Sequence, residues 1–446
     1  MDAPVRGALS RLPHELLAEI FLHHLELERQ VEPEDDMWPS GPLPLPSPLP
    51  LGQICSTWRH VAHGTPKLWS SFSLWIRGKI EQGKVDHVSF AKAWLARAHP
   101  YPLSVSLRVD APTESLCRII DAILLSADRL QVIKLDLPFL YYRPLAGIAA
   151  GSMAQLESVD LKIPDDYMSE AAPWAERVTA FTTAPRLRNV TLRFIDSDFF
   201  IDGLQMPWLQ LTRLHMNACF DSDGLFHIFL QCTNLIDCTL DMRAWEEDFM
   251  SILPIVIFPH LQKLDVTFTG RGDSFQFFQP LNLPALKDLT VTIYGNRWFH
   301  HIFMEFTLRS ALDLERLCFN GVKICSADLL QFLSHMQSLT ELNILLSSFV
   351  DDNLFDALCY RGMDGQNLVP KLETLLIYED MHDGINDNVI TNLIESRWWT
   401  DDVPRAVSRF ERVDVFLKDR EIDVRLQARL ERCRREGLNL NVRSRY

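Results

Sequence analysis

The chain has 446 residues, of which 47% are hydrophobic and 23% are charged, and these values exclude an intrinsically disordered protein. Its formal net charge of −15 disfavours a protein that wraps nucleic acid, because affinity for a polyanion depends on clustered Lys and Arg side chains. No apolar run approaches the ~18 residues of a membrane span, and the N-terminus lacks the regions of a signal peptide. We therefore expect a cytoplasmic or nuclear protein that binds neither nucleic acid nor membranes.

The first predicted element is a short amphipathic helix that begins at Ser10 or Arg11. Pro13 fits its first turn, and apolar residues recur after it at helical spacing. Residues 26–50 begin acidic and become Pro-rich, which predicts a flexible insertion, with a Pro-rich ligand motif as a minor alternative. A second short helix follows the insertion and ends before Pro66.

Three apolar motifs in this region carry a resemblance to a known family. They are Leu12-Pro13-x-Glu15-Leu16-Leu17-x-x-Ile20-Phe21, Ile54-Cys55-x-x-Trp58-Arg59-x-Val61-Ala62 and Pro66-x-Leu68-Trp69. In this order they resemble the F-box motif, and they are similar to the F-box-like proteins abundant in mushroom-forming fungi. The insertion at 26–50 departs from the compact family pattern, although loop closure tolerates added length because its cost grows only logarithmically.

The resemblance implies a non-catalytic subunit of a cullin-RING ubiquitin ligase, in which residues 1–75 bind a Skp-type adaptor. Two short helices cannot bury their apolar side chains alone, so a shared interface is expected, with packing against the first repeats as the alternative. The adaptor-binding residues predicted on this basis are Leu12, Pro13, Leu16, Leu17, Ile20, Phe21, Ile54, Cys55, Trp58, Leu68 and Trp69.

An apolar-x-x-apolar-x-apolar pattern returns through most of the remaining chain. Eleven copies begin between Leu130 and Phe410, with a mean period of 28 residues, and Pro precedes several of them by two residues. The eleven copies are Leu130-Ile133-Leu135, Leu156-Val159-Leu161, Leu187-Val190-Leu192, Leu211-Leu214-Met216, Leu235-Cys238-Leu240, Leu261-Leu264-Val266, Leu286-Leu289-Val291, Leu314-Leu317-Phe319, Leu339-Leu342-Ile344, Leu372-Leu375-Ile377 and Phe410-Val413-Val415.

This period is typical of a leucine-rich array, here a degenerate one without the usual Asn. The predicted fold class is α/β: an N-terminal helical domain, a connecting helix at 76–100, and a leucine-rich-repeat-like solenoid at 101–446 with a curved parallel sheet inside and helices outside. Two further copies near Trp69-Phe72-Leu74 and Leu103-Val105-Leu107 are conceivable, and a basic helix at Ile422–Cys433, within a cap at about 420–446, could cover the last sheet edge. A doubly wound α/β domain remains the alternative. Helices are predicted at Ser115–Ala127, Gly224–Gln231, Phe299–Arg309, Ala327–His335 and Val389–Glu395.

The side chains between the apolar strand positions should line the concave face and bind a target protein. Their mixed polar character suits a protein or peptide surface, although each is equally compatible with a merely solvated sheet face. The alternative function is a leucine-rich scaffold without ligase association, and outside a complex we expect a monomer. The predicted target-binding residues are Lys134, Asp136, Asp160, Lys162, Arg193, His215, Asn217, Asp241, Asp265, Asn343 and Tyr378.

Catalytic and metal-binding patterns are weak throughout the chain. The nine cysteines are scattered without a C-x-x-C pair, which predicts buried reduced thiols and neither a disulfide framework nor a zinc site. The adjacent pairs His23-His24 and His300-His301 cannot share one helix face. We therefore expect no catalytic residue, metal or cofactor.

Overall fold

The computed structural model describes residues 12–29, 47–76, 86–110, 115–164, 177–194, 203–218, 222–245, 253–270, 272–294, 298–346, 351–363, 365–378, 386–401, 403–418 and 424–445. The chain forms two compact units, Met1–Pro207 and Trp208–Tyr446. The predicted helical domain and the first repeats therefore lie together in the first unit, and the predicted boundaries at residues 75 and 100 do not coincide with the division.

The first unit begins with the predicted helical segment. Helix α1 spans His14–Arg29, so residues 26–29 of the predicted insertion continue the helix, while residues 30–46 lie outside the described residues. The predicted start at Ser10 or Arg11 also lies outside them. The Cys55 thiol caps the N-terminus of the helix Ser56–Gly64 by accepting a hydrogen bond from the Trp58 backbone N–H. The elements that follow α1 are α2 (Leu51–Ile54), α3 (Ser56–Gly64) and a 3₁₀ turn (Pro66–Trp69).

A parallel sheet completes the first unit, and its strands pair in sequence order. The first two strands confirm the additional repeat copies, because Phe72 is in register with Val105 and Val105 with Ile133. Helix α4 lies within the predicted connecting segment. The elements are β1 (Ser71–Ile76), α4 (His87–Arg97), β2 (Leu103–Val109), α5 (Leu116–Leu124), β3 (Leu130–Asp136), the 3₁₀ helix Phe139–Gly147, β4 (Ser158–Ile163) and β5 (Asn189–Phe194).

The second unit repeats this arrangement. Its long strands again pair in parallel and in sequence order, and two short strands, β8 and β10, pair separately. The strands are β6 (Arg213–Ala218), β7 (Asp237–Arg243), β8 (Val256–Ile257), β9 (Lys263–Thr269), β10 (Leu281–Asn282), β11 (Asp288–Ile293), β12 (Arg316–Asn320), β13 (Glu341–Leu345), β14 (Thr374–Tyr378), β15 (Arg412–Lys418) and β16 (Asn439–Arg445). The helices are α6 (Ser222–Gln231), α7 (His300–Ser310), α8 (Ser326–Leu333), α9 (Asp352–Leu358), α10 (Asp387–Ser396) and α11 (Val424–Arg435).

The repeat positions form the core of both units. Every apolar residue of the eleven predicted copies is buried, with an exposed fraction of 7% or less. A doubly wound sheet reverses its strand order at a switch point, whereas these strands follow one another in chain order. The leucine-rich-repeat-like α/β architecture is therefore confirmed, and helices lie at all five predicted stretches.

Backbone hydrogen bonds connect successive repeats in a recurring way. The carbonyl oxygen of Gln262 accepts from the backbone N–H groups of Lys287 and Asp288, and that of Lys287 accepts from Glu315 and Arg316. The same arrangement recurs at other repeats of the second unit and at Glu157 in the first. Because main-chain groups make this connection, the array needs no Asn at the turn.

The predicted role of the C-terminal basic helix is wrong in one respect. Helix α11 does not cover the last sheet edge, because β16 follows it and forms that edge beside β15. Instead, Arg429 and Arg432 of α11 bind Glu395 of α10 at 2.6 and 3.0 Å. The basic side of the helix is thus partly occupied in attaching it to its neighbour.

Candidate binding surfaces

The predicted adaptor-binding residues separate into two groups. Leu17, Phe21, Leu68 and Trp69 are each 1% exposed. The prediction that these four side chains face a partner is therefore wrong for the chain as it stands, because they belong to its own core. Seven predicted positions keep exposed surface: Leu12, Pro13, Leu16, Ile20, Ile54, Cys55 and Trp58.

Aromatic packing explains why the first group is internal. The Phe21 and Trp58 rings are 4.8 Å apart and join α1 to α3. Trp69 donates from Nε1 to the Ala62 carbonyl oxygen at 2.8 Å, and its own carbonyl accepts from Trp94 Nε1 at the same distance. Large rings with satisfied N–H groups bury well. The helical segment is thereby attached to the first strand–helix module of its own unit.

The second group leaves apolar side chains of α1 and α2 in contact with solvent. Leu16 and Ile20 lie one turn apart on α1 and are 52% and 49% exposed, and Ile54 at the end of α2 is 61% exposed. Leu27, farther along α1, is 50% exposed. We call Leu16, Ile20 and Ile54 the helical apolar stripe.

Five of the predicted target-binding residues lie on the first unit's open face, meaning the sheet face opposite the buried repeat leucines. They lie in two cross-strand rows that also include Arg108. Arg193 contacts Asp160 at 3.1 Å, and Asp136 lies 3.5 Å from Lys162 and 3.7 Å from Arg108. The five residues are Lys134, Asp136, Asp160, Lys162 and Arg193.

Asp136 is the most enclosed member of this network, at 4% exposure. Burial raises the pKa of its carboxyl group, and the nearby Lys162 and Arg108 oppose the rise without cancelling it. Sequence reasoning missed Arg108 and Trp75, whose side chains stack with 4.6 Å between the guanidinium carbon and the ring centroid. Arg108 directly follows the Leu103-Val105-Leu107 repeat copy, so its place on the open face could have been predicted from that copy.

The other six predicted residues lie on the open face of the second unit, where strand register arranges them in two rows. The Asp265 row is His215, Thr239, Asp265, Thr290, Cys318, Asn343, Leu376, Asp414 and Asn441. The Tyr378 row is Asn217, Asp241, Thr267, Thr292, Asn320, Leu345, Tyr378, Phe416 and Arg443.

The two rows differ in their contacts. Asn217 Nδ2 donates to Asp241 at 3.0 Å, and the Tyr378 and Phe416 rings are 5.5 Å apart. Sequence reasoning missed Leu345, Leu376 and Phe416 because they are apolar. They nevertheless alternate along their strands with the buried repeat residues, and this alternation was sufficient to place them on the open face. The second unit's open face therefore combines polar groups with an apolar strip near its C-terminal strands.

Asp265 has an unusual electrostatic environment. Burial raises the pKa of its carboxyl group to about 6, Lys263 opposes the rise, and Asp241, Asp288 and Asp237 add to it. No donor in the described part of the chain hydrogen-bonds this carboxylate. Asp265 is thus an anion that its own neighbourhood does not stabilise well.

The described ranges contain neither a metal-binding cluster nor a helix that could span a membrane. Among these residues, no group of three or more His, Cys, Asp or Glu side chains is placed to hold a metal ion. None of the helices with described residues is both long and apolar enough to span a bilayer. The cysteines of these ranges are free thiols.

Comparison with solved structures found similarity to the crystal structure of the TLR13-ssRNA13 complex, with 15% sequence identity and a TM-score of 0.36. The match covers 78% of this chain and 56% of that one, so the chain spans little more than half the length of that structure. No family model matches the chain, and a search of curated proteins found no match. The class of protein, a leucine-rich-repeat-like α/β scaffold, is defined by its own strand order, register and buried repeat positions.

Proposed function

We propose that the chain is a non-catalytic substrate receptor of a cullin-RING ubiquitin ligase. Its helical apolar stripe binds a Skp-type adaptor, and its repeat modules bind the protein to be ubiquitinated. The observation that carries the proposal is the half-exposed state of Leu16, Ile20 and Ile54, at 52%, 49% and 61%. These three positions belong to the motifs that resemble the F-box.

The stripe is available without unfolding the segment that carries it. The neighbouring Leu17 and Phe21 hold α1 in the core, so Leu16 and Ile20 are presented on a helix that is already ordered. Burying the exposed part of each aliphatic side chain contributes about 1 kcal/mol. Three such side chains together supply about 3 kcal/mol, a substantial part of a micromolar interaction.

The test is a pull-down of the purified full chain with a purified Skp-type adaptor, followed by calorimetric titration. The Leu16→Asp, Ile20→Asp double variant should weaken binding by about 30-fold or more, because it removes about 2 kcal/mol of apolar burial. Leu308→Asp is the matched control, since Leu308 is 62% exposed on α7 of the second unit.

The control variant should bind the adaptor as the parent does. Both variants should keep the parent's circular dichroism spectrum, because their substituted side chains are already half exposed or more. Absence of adaptor binding by the parent, or equal loss in both variants, would contradict the proposal.

A leucine-rich scaffold without ligase association is the second candidate function. The observation that favours it is the burial of Leu17, Phe21, Leu68 and Trp69, which makes a large part of the F-box-like segment a component of the first unit's own core. In that case the helical segment only completes the repeat array. The same pull-down distinguishes the two functions.

A further inference from the structure

The Asp265 row of the second unit contains acceptor groups that its own chain does not use. Six of its members, from Asp265 on β9 to Asp414 on β15, lie on successive paired strands: Asp265, Thr290, Cys318, Asn343, Leu376 and Asp414. A carboxylate thus stands at each end of this section, and an amide lies between them.

Three oxygen atoms on this face are buried without a hydrogen-bond donor among the described residues. They are Oδ1 of Asp414, Oδ1 of Asn343 and Oδ1 of Asn320 in the adjacent row. Asp414 is only 2% exposed. Buried acceptors are normally paired, so each of these three oxygen atoms has the capacity to accept a further hydrogen bond.

The partners that these side chains already have explain which atoms remain available. Asp414 Oδ2 accepts from Arg412 Nε at 2.7 Å, and Asn343 Nδ2 donates to Glu341 at 2.8 Å. The Arg412 side chain is 52% exposed, so it can move towards solvent when a ligand donor approaches Asp414. Each side chain is therefore held by one polar atom and keeps the other for a ligand.

The charge of the row favours a cationic partner. Asp265 is influenced by Lys263 on its own strand and by the carboxylates of Asp237, Asp241 and Asp288 on the strands beside it. Apart from the titratable His215, no basic side chain occurs among the nine members of the row. The apolar strip of Leu345, Tyr378 and Phe416 in the next row offers a surface for the aliphatic part of a long basic side chain.

We propose that the Asp265 row binds an extended segment of a partner protein that carries two basic residues, one at Asp265 and one at Asp414. This deepens the proposed function, on which it rests, by naming the chemistry of the target. Main-chain N–H groups of the segment donate to Asn343 and Asn320 between the two anchors.

Strand geometry sets the separation of the two basic residues. Five inter-strand steps of about 4.8 Å separate β9 from β15, giving about 24 Å along the row. An extended peptide advances about 3.3 Å per residue and its side chains alternate between two faces, so the two basic residues should be about six or about eight positions apart, on the same face.

The experiment measures fluorescence anisotropy of labelled peptides, about 12 residues long, titrated with the purified full chain. One peptide carries two Arg residues about eight positions apart, a second carries them about four apart, and a third has Glu in place of the Arg residues of the first. The first should bind about tenfold more tightly than the second, and the third should not bind.

Two substitutions test whether the first peptide binds at the Asp265 row. Asp265→Asn should weaken the first peptide about tenfold, because it removes one charge without changing shape. Asp160→Asn in the first unit is the matched control and should change binding less than about twofold. Affinity that is independent of spacing, unaffected by Asp265→Asn, or absent for all three peptides would overturn the inference. The peptides are designed for the Asp265 row and not for α1. Loss of peptide binding and absence of adaptor binding are therefore separate results.

Discussion

The open faces of the two units use charged side chains in different ways. In the first unit, Arg108, Lys162 and Arg193 each lie within 3.7 Å of a carboxylate oxygen on a neighbouring strand. In the second, Arg316 binds Asp288 at 2.9 Å and Arg412 binds Asp414 at 2.6 Å, but no described donor hydrogen-bonds Asp265.

The difference comes from what the register places side by side. In the first unit, Asp136 lies between Arg108 and Lys162 on the neighbouring strands, so its negative charge is compensated across the sheet. Asp265 is flanked by Thr239 and Thr290, which carry no charge. A carboxylate that is paired within its own face has less affinity left for a ligand cation than one without a donor. Asp265 is therefore the carboxylate that we propose binds a ligand, and three experiments test how each unit uses its charged side chains.

The largest expected effect concerns Arg397, a buried residue of the second unit whose guanidinium group binds main-chain carbonyl oxygens. It is 0% exposed and donates to the carbonyl oxygens of Leu358, Val369 and Leu368 at 2.8, 3.1 and 2.6 Å. Arg397→Met should destabilise the chain by about 3–5 kcal/mol, because three buried acceptors lose their donor. Urea unfolding followed by circular dichroism measures the change.

Arg397→Lys is the matched control that keeps the positive charge and changes only the geometry of the donor group. A lysine ammonium lacks the planar guanidinium arrangement that reaches three carbonyl groups, so we expect a destabilisation between the parent and the Met variant. Equal stability of all three proteins would show that this buried cation and its three hydrogen bonds are not needed inside the unit.

A smaller effect is expected at Asp265 itself. Its pKa is raised from 3.8 to about 6 in the folded chain, so the folded state binds the proton more tightly than the unfolded state. That contribution to stability is complete below pH 3.8 and is lost as the pH rises through about 6. Asp265→Asn should therefore stabilise the chain by about 1–2 kcal/mol at neutral pH, after allowance for partial solvent exposure.

The measurement is urea unfolding of parent and variant at about pH 7.5 and about pH 4. The advantage of Asp265→Asn should be present at the higher pH and absent at the lower one, where the parent aspartate is itself neutral. An unchanged difference at both values would mean that the environment of Asp265 does not disfavour its charge. The two open faces would then be electrostatically alike.

The repeat core could be predicted from sequence because its signal is local and repeated. In the copy Leu261-Leu264-Val266, for example, Leu264 and Val266 alternate with polar residues along the strand, so both lie on the one sheet face that is buried. The backbone hydrogen bonds that join repeats do not depend on side chains, so the irregular spacing and missing Asn did not obscure the fold.

The surface could be predicted only in part. Apolar residues occur on more than one side of α1, and spacing alone does not show that Phe21 faces Trp58 while Ile20 faces solvent. Likewise, Asp160 and Asp265 occupy the same position in their repeats, between the second and third apolar residues, yet Asp160 pairs with Arg193 on the next strand and Asp265 has no such partner among the described residues. Those neighbours depend on register between distant residues, which one sequence does not reveal.

The smallest expected effect tests the first unit's pairing directly. The Asp160 and Arg193 side chains are 18% and 21% exposed, so their ion pair is partly shielded from solvent. A double-mutant cycle with Asp160→Ala and Arg193→Ala should give a coupling energy of about 0.5–1 kcal/mol, reduced at about 1 M salt. The matched cycle with Lys263→Ala and Asp265→Ala should give a smaller value, because no hydrogen bond joins those side chains. If both cycles gave the same coupling, the first unit's charges would be no better paired than the second's. Asp265 would then not differ from the carboxylates of the first unit in how well its charge is paired.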